Sequence, residues 1–114
     1  MKLNHVNLTV TDVSAAEEFL ETYFGLTKMG GNAGMAFLSD GTDLVLSLMK
    51  AGRSANVAYP TTFHIGFFVG NEQTVDETHH RLTGDGFAPT TPNRHHGYGF
   101  YVDAPGGFTV EIGA

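Results

Sequence analysis

Two stretches of this sequence repeat each other at a fixed offset. Asn4-His5-Val6-Asn7-Leu8-Thr9-Val10-Thr11-Asp12 places a histidine near the start of an alternating run that closes on a helix-capping residue. Thr62-Phe63-His64-Ile65-Gly66-Phe67-Phe68-Val69, followed by Gly70-Asn71, does the same again. His5 and His64 lie 59 positions apart, and the same offset carries Val10 onto Val69 and Gly25 onto Gly84. A repeat of half the chain's length constrains the fold more than any bulk property, because each copy must form the same supersecondary unit. These 114 residues therefore read as two modules of one design.

In the first module Val6, Leu8 and Val10 point to one side of a strand, and His5, Asn7 and Thr9 to the other. The spacing predicts a helix over 13–24, with Val13, Ala16, Phe19, Leu20, Tyr23 and Phe24 on one stripe and Glu17, Glu18 and Glu21 opposite. Asp12 is the expected N-cap, with Ser14 and Glu17 as a capping box two residues on, and Gly25 the C-cap. Residues 26–29, 35–38 and 43–49 read as three short strands, parted by turns at Gly30-Gly31-Asn32 and Ser39-Asp40-Gly41. Ala51 to Asn56 is a small, polar connecting loop. The second module repeats the plan: a strand over 62–69, a helix over 72–83 between caps Asn71 and Gly84, and an edge strand at 87–90 marked by Pro89. Then come a loop or bulged hairpin at 91–97 and strands over 98–103 and 108–112. The expectation is an α+β fold of two βαβββ modules in one domain, 1–114. Module one takes about 1–50, a linker about 51–60, and module two about 61–114.

Bulk properties exclude some functions. A net charge of −6 with only six Lys and Arg opposes nucleic-acid binding, which needs clustered positive charge. No apolar run is long enough for a membrane span and the start lacks a signal-peptide pattern, so a cytoplasmic protein is expected. With no Cys, any metal would have to be held by imidazole nitrogen and carboxylate oxygen.

Three polar residues fit that description. His5, His64 and Glu111 each sit in a strand, opposite the apolar set that a helix covers. An ionised carboxylate there is costly unless it is paired or binds a cation. Two imidazoles and one carboxylate on neighbouring strands could hold a divalent ion and leave coordination positions open. Asn7, Val45, Ser47, Met49 and Phe68 share the strand parity of this set and would line a largely apolar pocket, with Phe37 or Leu38 added according to register. Tyr101 either faces that pocket, where its phenol could orient a substrate oxygen, or packs in the core. His96, in the pair His95-His96, either moves protons near neutral pH or is a plain loop histidine. His79-His80 lies mid-helix with one ring toward solvent and receives no role.

On these residues the chain resembles the vicinal oxygen chelate superfamily, which includes glyoxalases, extradiol dioxygenases, fosfomycin resistance thiol transferases, methylmalonyl-CoA epimerases and bleomycin resistance proteins. The matching motifs are residues 3–12, 63–69 and 103–112, in the family's order and spacing. The resemblance implies that the two modules form an incomplete mixed β-barrel, a cup, around a divalent metal (Fe, Mn, Zn or Ni) held by His5, His64 and Glu111. It further implies Lewis-acid chemistry of the lyase, dioxygenase or transferase type on a small oxygenated substrate. It also suggests a homodimer, in which some relatives pair modules across chains. The fourth, carboxylate ligand of glyoxalases aligns with Ser47, so three protein ligands are expected, as in the dioxygenases and fosfomycin enzymes. Between Thr90 and Gly99 there is one Arg and no Lys, so part of a phosphonate-binding basic set is missing. The alternative is a metal-free protein that sequesters an antibiotic or aromatic molecule, where the acidic balance suits a cationic drug.

Overall fold

Parallel pairing between a first strand and a last one gives each half its frame. In the computed structural model, which describes residues 1–53 and 56–114, the first half is β1 (His5–Val10), α1 (Val13–Phe24), β2 (Thr27–Asn32), β3 (Met35–Ser39) and β4 (Val45–Lys50). The second is β5 (Ile65–Phe68), α2 (Glu72–Gly84), β6 (Asn93–Arg94), β7 (Tyr98–Ala104) and β8 (Phe108–Gly113). The sheets are ordered β1-β4-β3-β2 and β5-β8-β7-β6, with β1–β4 and β5–β8 parallel and the remaining pairs antiparallel. The βαβββ repeat expected from the sequence is present. The chain divides into two units, Met1–Tyr59 with Pro105–Gly107, and Pro60–Ala104 with Phe108–Ala114. The connecting loop read over Ala51 to Asn56 includes Ser54 and Ala55, which lie outside the described residues. No helix among the described residues is long and apolar enough to cross a membrane.

In the first unit the alternation of β1 holds: Leu8 and Val10 are buried, while His5, Asn7 and Thr9 are exposed. The buried pair joins Ala36, Leu38 and Leu48 beneath Ala16, Phe19 and Leu20 of α1. Asp12 is the cap, its Oδ1 accepting the Ala15 N–H at 3.0 Å, so the Ser14–Glu17 box is not what starts the helix. Gly25, at φ 69°, ends it by donating back to Leu20, a left-handed position where a side chain would be strained. One expectation fails here: Gly30-Gly31-Asn32 is the end of β2, not a turn. The chain passes through a bulge between Lys28 and Gly30 and reverses two residues later, where Asn32 Oδ1 accepts the Gly34 N–H at 2.9 Å. Gly31 serves close approach, since a Cβ there would lie 2.2 Å from the Met35 carbonyl oxygen.

In the second unit Phe63, Ile65, Phe67 and Val69 are half-buried and alternate with exposed His64, Gly66 and Phe68. The ladder is shorter than expected because Phe63 donates its N–H to the Pro60 carbonyl at 2.9 Å, so a turn holds the chain until Ile65. Asn71 caps α2 through the Thr74 N–H at 2.8 Å. The helix runs one residue further than the spacing predicts, to Gly84, and Asp85 caps it. Its buried residues Val75, Thr78 and Leu82 face a sheet core that includes Phe100, Val102, Val110 and Ile112. The edge strand expected at 87–90 is also corrected: β6 is Asn93–Arg94, inside the stretch read as loop. Pro89 and Pro92 lack the N–H a ladder needs. Thr90 does bond β7, through its own N–H to the Tyr101 carbonyl and its Oγ1 from the Tyr101 N–H.

Candidate metal and substrate site

Glu111 stands at the middle of β8, opposite Gly66 of β5 on one side and Tyr101 of β7 on the other. The alternation of β8 buries Phe108, Val110 and Ile112 and turns Glu111 to the face α2 does not cover. Gly66 leaves that face bare, since even a Cβ there would sit 3.5 Å from Glu111 Oε2. His64 reaches across it, placing Nε2 3.1 Å from Glu111 Oε2, with both side chains about one-third exposed.

The other ring nitrogen orients this pair. His64 Nδ1 is 2.9 Å from the Thr62 carbonyl oxygen, which can only accept, so Nδ1 carries the hydrogen. In the neutral imidazole Nε2 is then a bare lone pair facing a carboxylate oxygen. Two acceptors at that distance repel unless a proton or a cation lies between them. His5 is prepared in the same way: its Nδ1 lies 2.7 Å from Asn4 Oδ1, leaving Nε2 free. A carbonyl-type oxygen on the non-coordinating nitrogen is the usual support of a metal-bound histidine, and imidazole nitrogen with carboxylate oxygen is a donor chemistry that suits a divalent ion.

Tyr101 joins the pair. Its ring meets that of His64 edge-on at 5.2 Å. Its phenol is raised above the usual range, first by burial and then by the charge of Glu111. Tyr101 and Glu111 also line a cavity of about 50 Å³ together with Asn93, His95, His96 and Tyr98, over a floor that includes Gly99 and Gly113. Both candidate proton-handling residues, His96 and Tyr101, therefore border the same space as Glu111. Phe68 stands exposed at the end of β5. His80 is exposed, while His79 is half-buried, bonds the Thr90 carbonyl at 3.1 Å and stacks edge-on against Phe100.

His5 belongs to the first unit, on the strand face away from α1. There Asn7 pairs with Ser47 and Phe37 pairs with Ser47 from the other side. Val45 is half-buried and Met49 exposed, whereas Ser47 is only 6% exposed. Thus the structure brings His64, Glu111 and Tyr101 together in the second unit, and Asn7 and Ser47 together in the first. Among the described residues no group of three or more His, Asp or Glu side chains is placed to hold a metal. One contributor escaped sequence reasoning. Tyr59 donates its hydroxyl to the Thr9 carbonyl and accepts the Thr9 N–H, both at 2.8 Å, closing the outer edge of β1. A tyrosine in a linker carries no pattern that would reveal this.

The model of the Glyoxalase/Bleomycin resistance protein/Dioxygenase superfamily matches residues 2–112. A solved structure of a possible glyoxalase from Bacillus cereus is 49% identical, with a TM-score of 0.91, covering 100% of this chain and 99% of that one. A lactoylglutathione lyase from Agrobacterium tumefaciens is similar in fold at 22% identity (TM-score 0.77, 98% and 92% covered). So is a mutant of the fosfomycin resistance protein FosX from Listeria monocytogenes, in complex with Mn(II) and a dihydroxypropylphosphonic acid, at 21% identity (TM-score 0.82, 99% and 91% covered). No protein with a curated description matches the sequence.

Proposed function

We propose, starting from a chain that belongs to the Glyoxalase/Bleomycin resistance protein/Dioxygenase superfamily, that it is a divalent-metal-dependent enzyme acting on a small oxygenated substrate. The observation that carries this reading is His64 Nε2 held 3.1 Å from Glu111 Oε2 on an open sheet face, with Nδ1 turned to the Thr62 carbonyl. His64 and Glu111 would hold the ion together with His5, the repeat-equivalent histidine whose Nδ1 is likewise occupied. When bound, a divalent ion supplies Lewis acidity toward a substrate oxygen; Mn(II) is the ion named in the Listeria complex.

The protein's own groups would do the rest. Tyr101, kept protonated by burial and by Glu111, donates a hydrogen bond to a substrate oxygen. His96, on the wall of the same cavity, holds or accepts a proton near neutral pH. Asn7, Val45, Ser47, Met49 and Phe68 line the surfaces a substrate would meet, in a protein acting as a homodimer. A second reading, metal-free sequestration of a drug or aromatic molecule, draws on the exposure of Phe68, 84% of whose surface is open.

Metal analysis of untagged protein, with Mn(II) binding followed by electron paramagnetic resonance, tests the choice. Bound divalent metal, lost in His5→Ala, His64→Ala and Glu111→Gln, supports the enzyme. Absence of metal, with ligand binding indifferent to chelators, overturns it in favour of sequestration. Loss of a ligand should cost more than the roughly 10–100-fold that loss of an outer-shell partner costs.

A further inference from the structure

The His95-His96-Gly97 tip joining β6 to β7 borders the Glu111 cavity, yet its neighbours Arg94 and Tyr98 both reach to α2. Arg94 places both guanidinium NH₂ groups on the two carboxylate oxygens of Glu72, one of them at 2.8 Å. Glu72 is the first residue of α2. The same guanidinium lies over the Tyr98 ring, 4.9 Å from its centroid. Tyr98 in turn donates its hydroxyl to Asp76 Oδ1 at 2.6 Å. Asp76 stands four residues after Glu72, so the two carboxylates share one helix face. Arg94 and Tyr98 are themselves directly paired across the hairpin. The four side chains close a ring: carboxylate, guanidinium, phenol, carboxylate.

We propose that this clamp positions the hairpin tip, so that Arg94, Glu72, Tyr98 and Asp76 determine how His95 and His96 wall the cavity beside Glu111 and Tyr101. A lone exposed ion pair would hold little. Here a two-point fork fixes orientation as well as distance, and a stacked ring and a second bond brace it. The ladder itself is two residues long, and beyond it the backbone of Tyr98 is tied to Ala114 by two hydrogen bonds at 2.9 and 3.1 Å, so the clamp acts on the Arg94 side of the tip, whose Gly97 stands at φ 110°. Glu72 is held below the usual carboxylate range and Tyr98 above the usual phenol range, each chiefly by its hydrogen bond within the ring. Because Arg94 is committed to Glu72, the wall offers imidazole and amide groups to a substrate and no guanidinium. The placement of the tip stands on this geometry alone; its use in catalysis rests on the function proposed above.

Backbone amide order parameters at His95, His96 and Gly97, measured by NMR on the full chain, test the clamp. In the unaltered protein they should match rigid backbone, about 0.85, and in Arg94→Ala and Asp76→Ala they should fall below about 0.6. Asp76→Asn keeps an Oδ1 acceptor and should retain rigidity, and Tyr98→Phe should lose it. A role confined to fastening α2 would lower the melting temperature and leave the tip as rigid as before. Unchanged order parameters in folded Arg94→Ala and Tyr98→Phe, or a tip already mobile in the unaltered protein, overturn the proposal. Mn(II) binding, run in parallel, should be the same in every clamp variant. If the unaltered protein binds no Mn(II), the metal reading of His64 and Glu111 falls, while the order parameters still decide the clamp.

Discussion

Ser47 donates its hydroxyl hydrogen to Asn7 Oδ1 at 2.9 Å, across the parallel pair β1–β4. The position where glyoxalases were expected to supply a fourth, carboxylate ligand is thus a buried hydroxyl already committed to a neighbour. Ser47→Ala should remove this bond and lower stability by about 0.5–1.5 kcal/mol, measured by urea denaturation. Metal affinity should not move; a matching loss of affinity would mean that the hydroxyl serves the ion.

Metal affinity should depend on acidity. Imidazole must be neutral to coordinate. Protons and metal compete for the same Nε2, so affinity falls as pH drops. Titrating the metal-loaded protein from pH 8 to pH 4 with a colorimetric chelator should show release. Full retention at pH 4 would exclude histidine ligands.

Two glycines near Glu111 should respond in opposite ways. A Cβ on Gly99 would lie 2.3 Å from the Ile112 carbonyl oxygen, backbone that cannot move without opening the β7–β8 ladder. Gly99→Ala should destabilise by about 1–3 kcal/mol or more. At Gly66 the nearest atom is Glu111 Oε2 at 3.5 Å, an ordinary contact. Gly66→Ala should change stability by no more than about 0.5 kcal/mol, yet weaken metal binding by setting a methyl beside the carboxylate oxygen that faces His64. Thermal melts and Mn(II) titrations of the two variants separate these effects.

Alkaline pH should weaken the fold through Tyr98 and Tyr101. Both phenols are raised above the usual value of 10, Tyr98 chiefly by its bond to Asp76 and Tyr101 chiefly by burial. Between the unfolded and folded values the native state holds the extra proton, so stability present below pH 10 declines as pH rises beyond it. Tyr98→Phe and Tyr101→Phe should each flatten the decline seen in denaturation midpoints between pH 9 and pH 11. An unchanged slope in both would count against these environments.

Most of the frame was legible because it is written in short-range patterns. Period-two alternation in β1 and β8, the stripe of α1 and the caps Asp12, Asn71 and Gly25 depend on residues a few positions apart. The misreadings share a cause. Gly30-Gly31-Asn32 looked like a turn because glycine usually punctuates, yet here it lets two strands approach. Residues 87–90 looked like a strand because their side chains suit one, yet Pro89, and Pro92 just beyond, withhold donors a ladder requires. Phe63 and His64 continue an alternating pattern, but the turn at Pro60 delays their pairing.

By itself the sequence determined the twofold βαβββ plan, which face of each strand carries His5, His64 and Glu111, and the family to which those motifs belong. Only the tertiary structure decided that His64 and Glu111 meet at 3.1 Å, that Thr62 and Asn4 occupy the opposite ring nitrogens, and that Ser47 is bound to Asn7. It alone revealed the ring from Glu72 to Asp76 and the seal of Tyr59 on Thr9. Alternation and capping are local consequences of backbone geometry, whereas the pairings of His64 with Glu111, Ser47 with Asn7, Arg94 with Glu72, Tyr98 with Asp76 and Tyr59 with Thr9 join residues 22 to 50 positions apart, and ladder register and side-chain reach decide which of them meet.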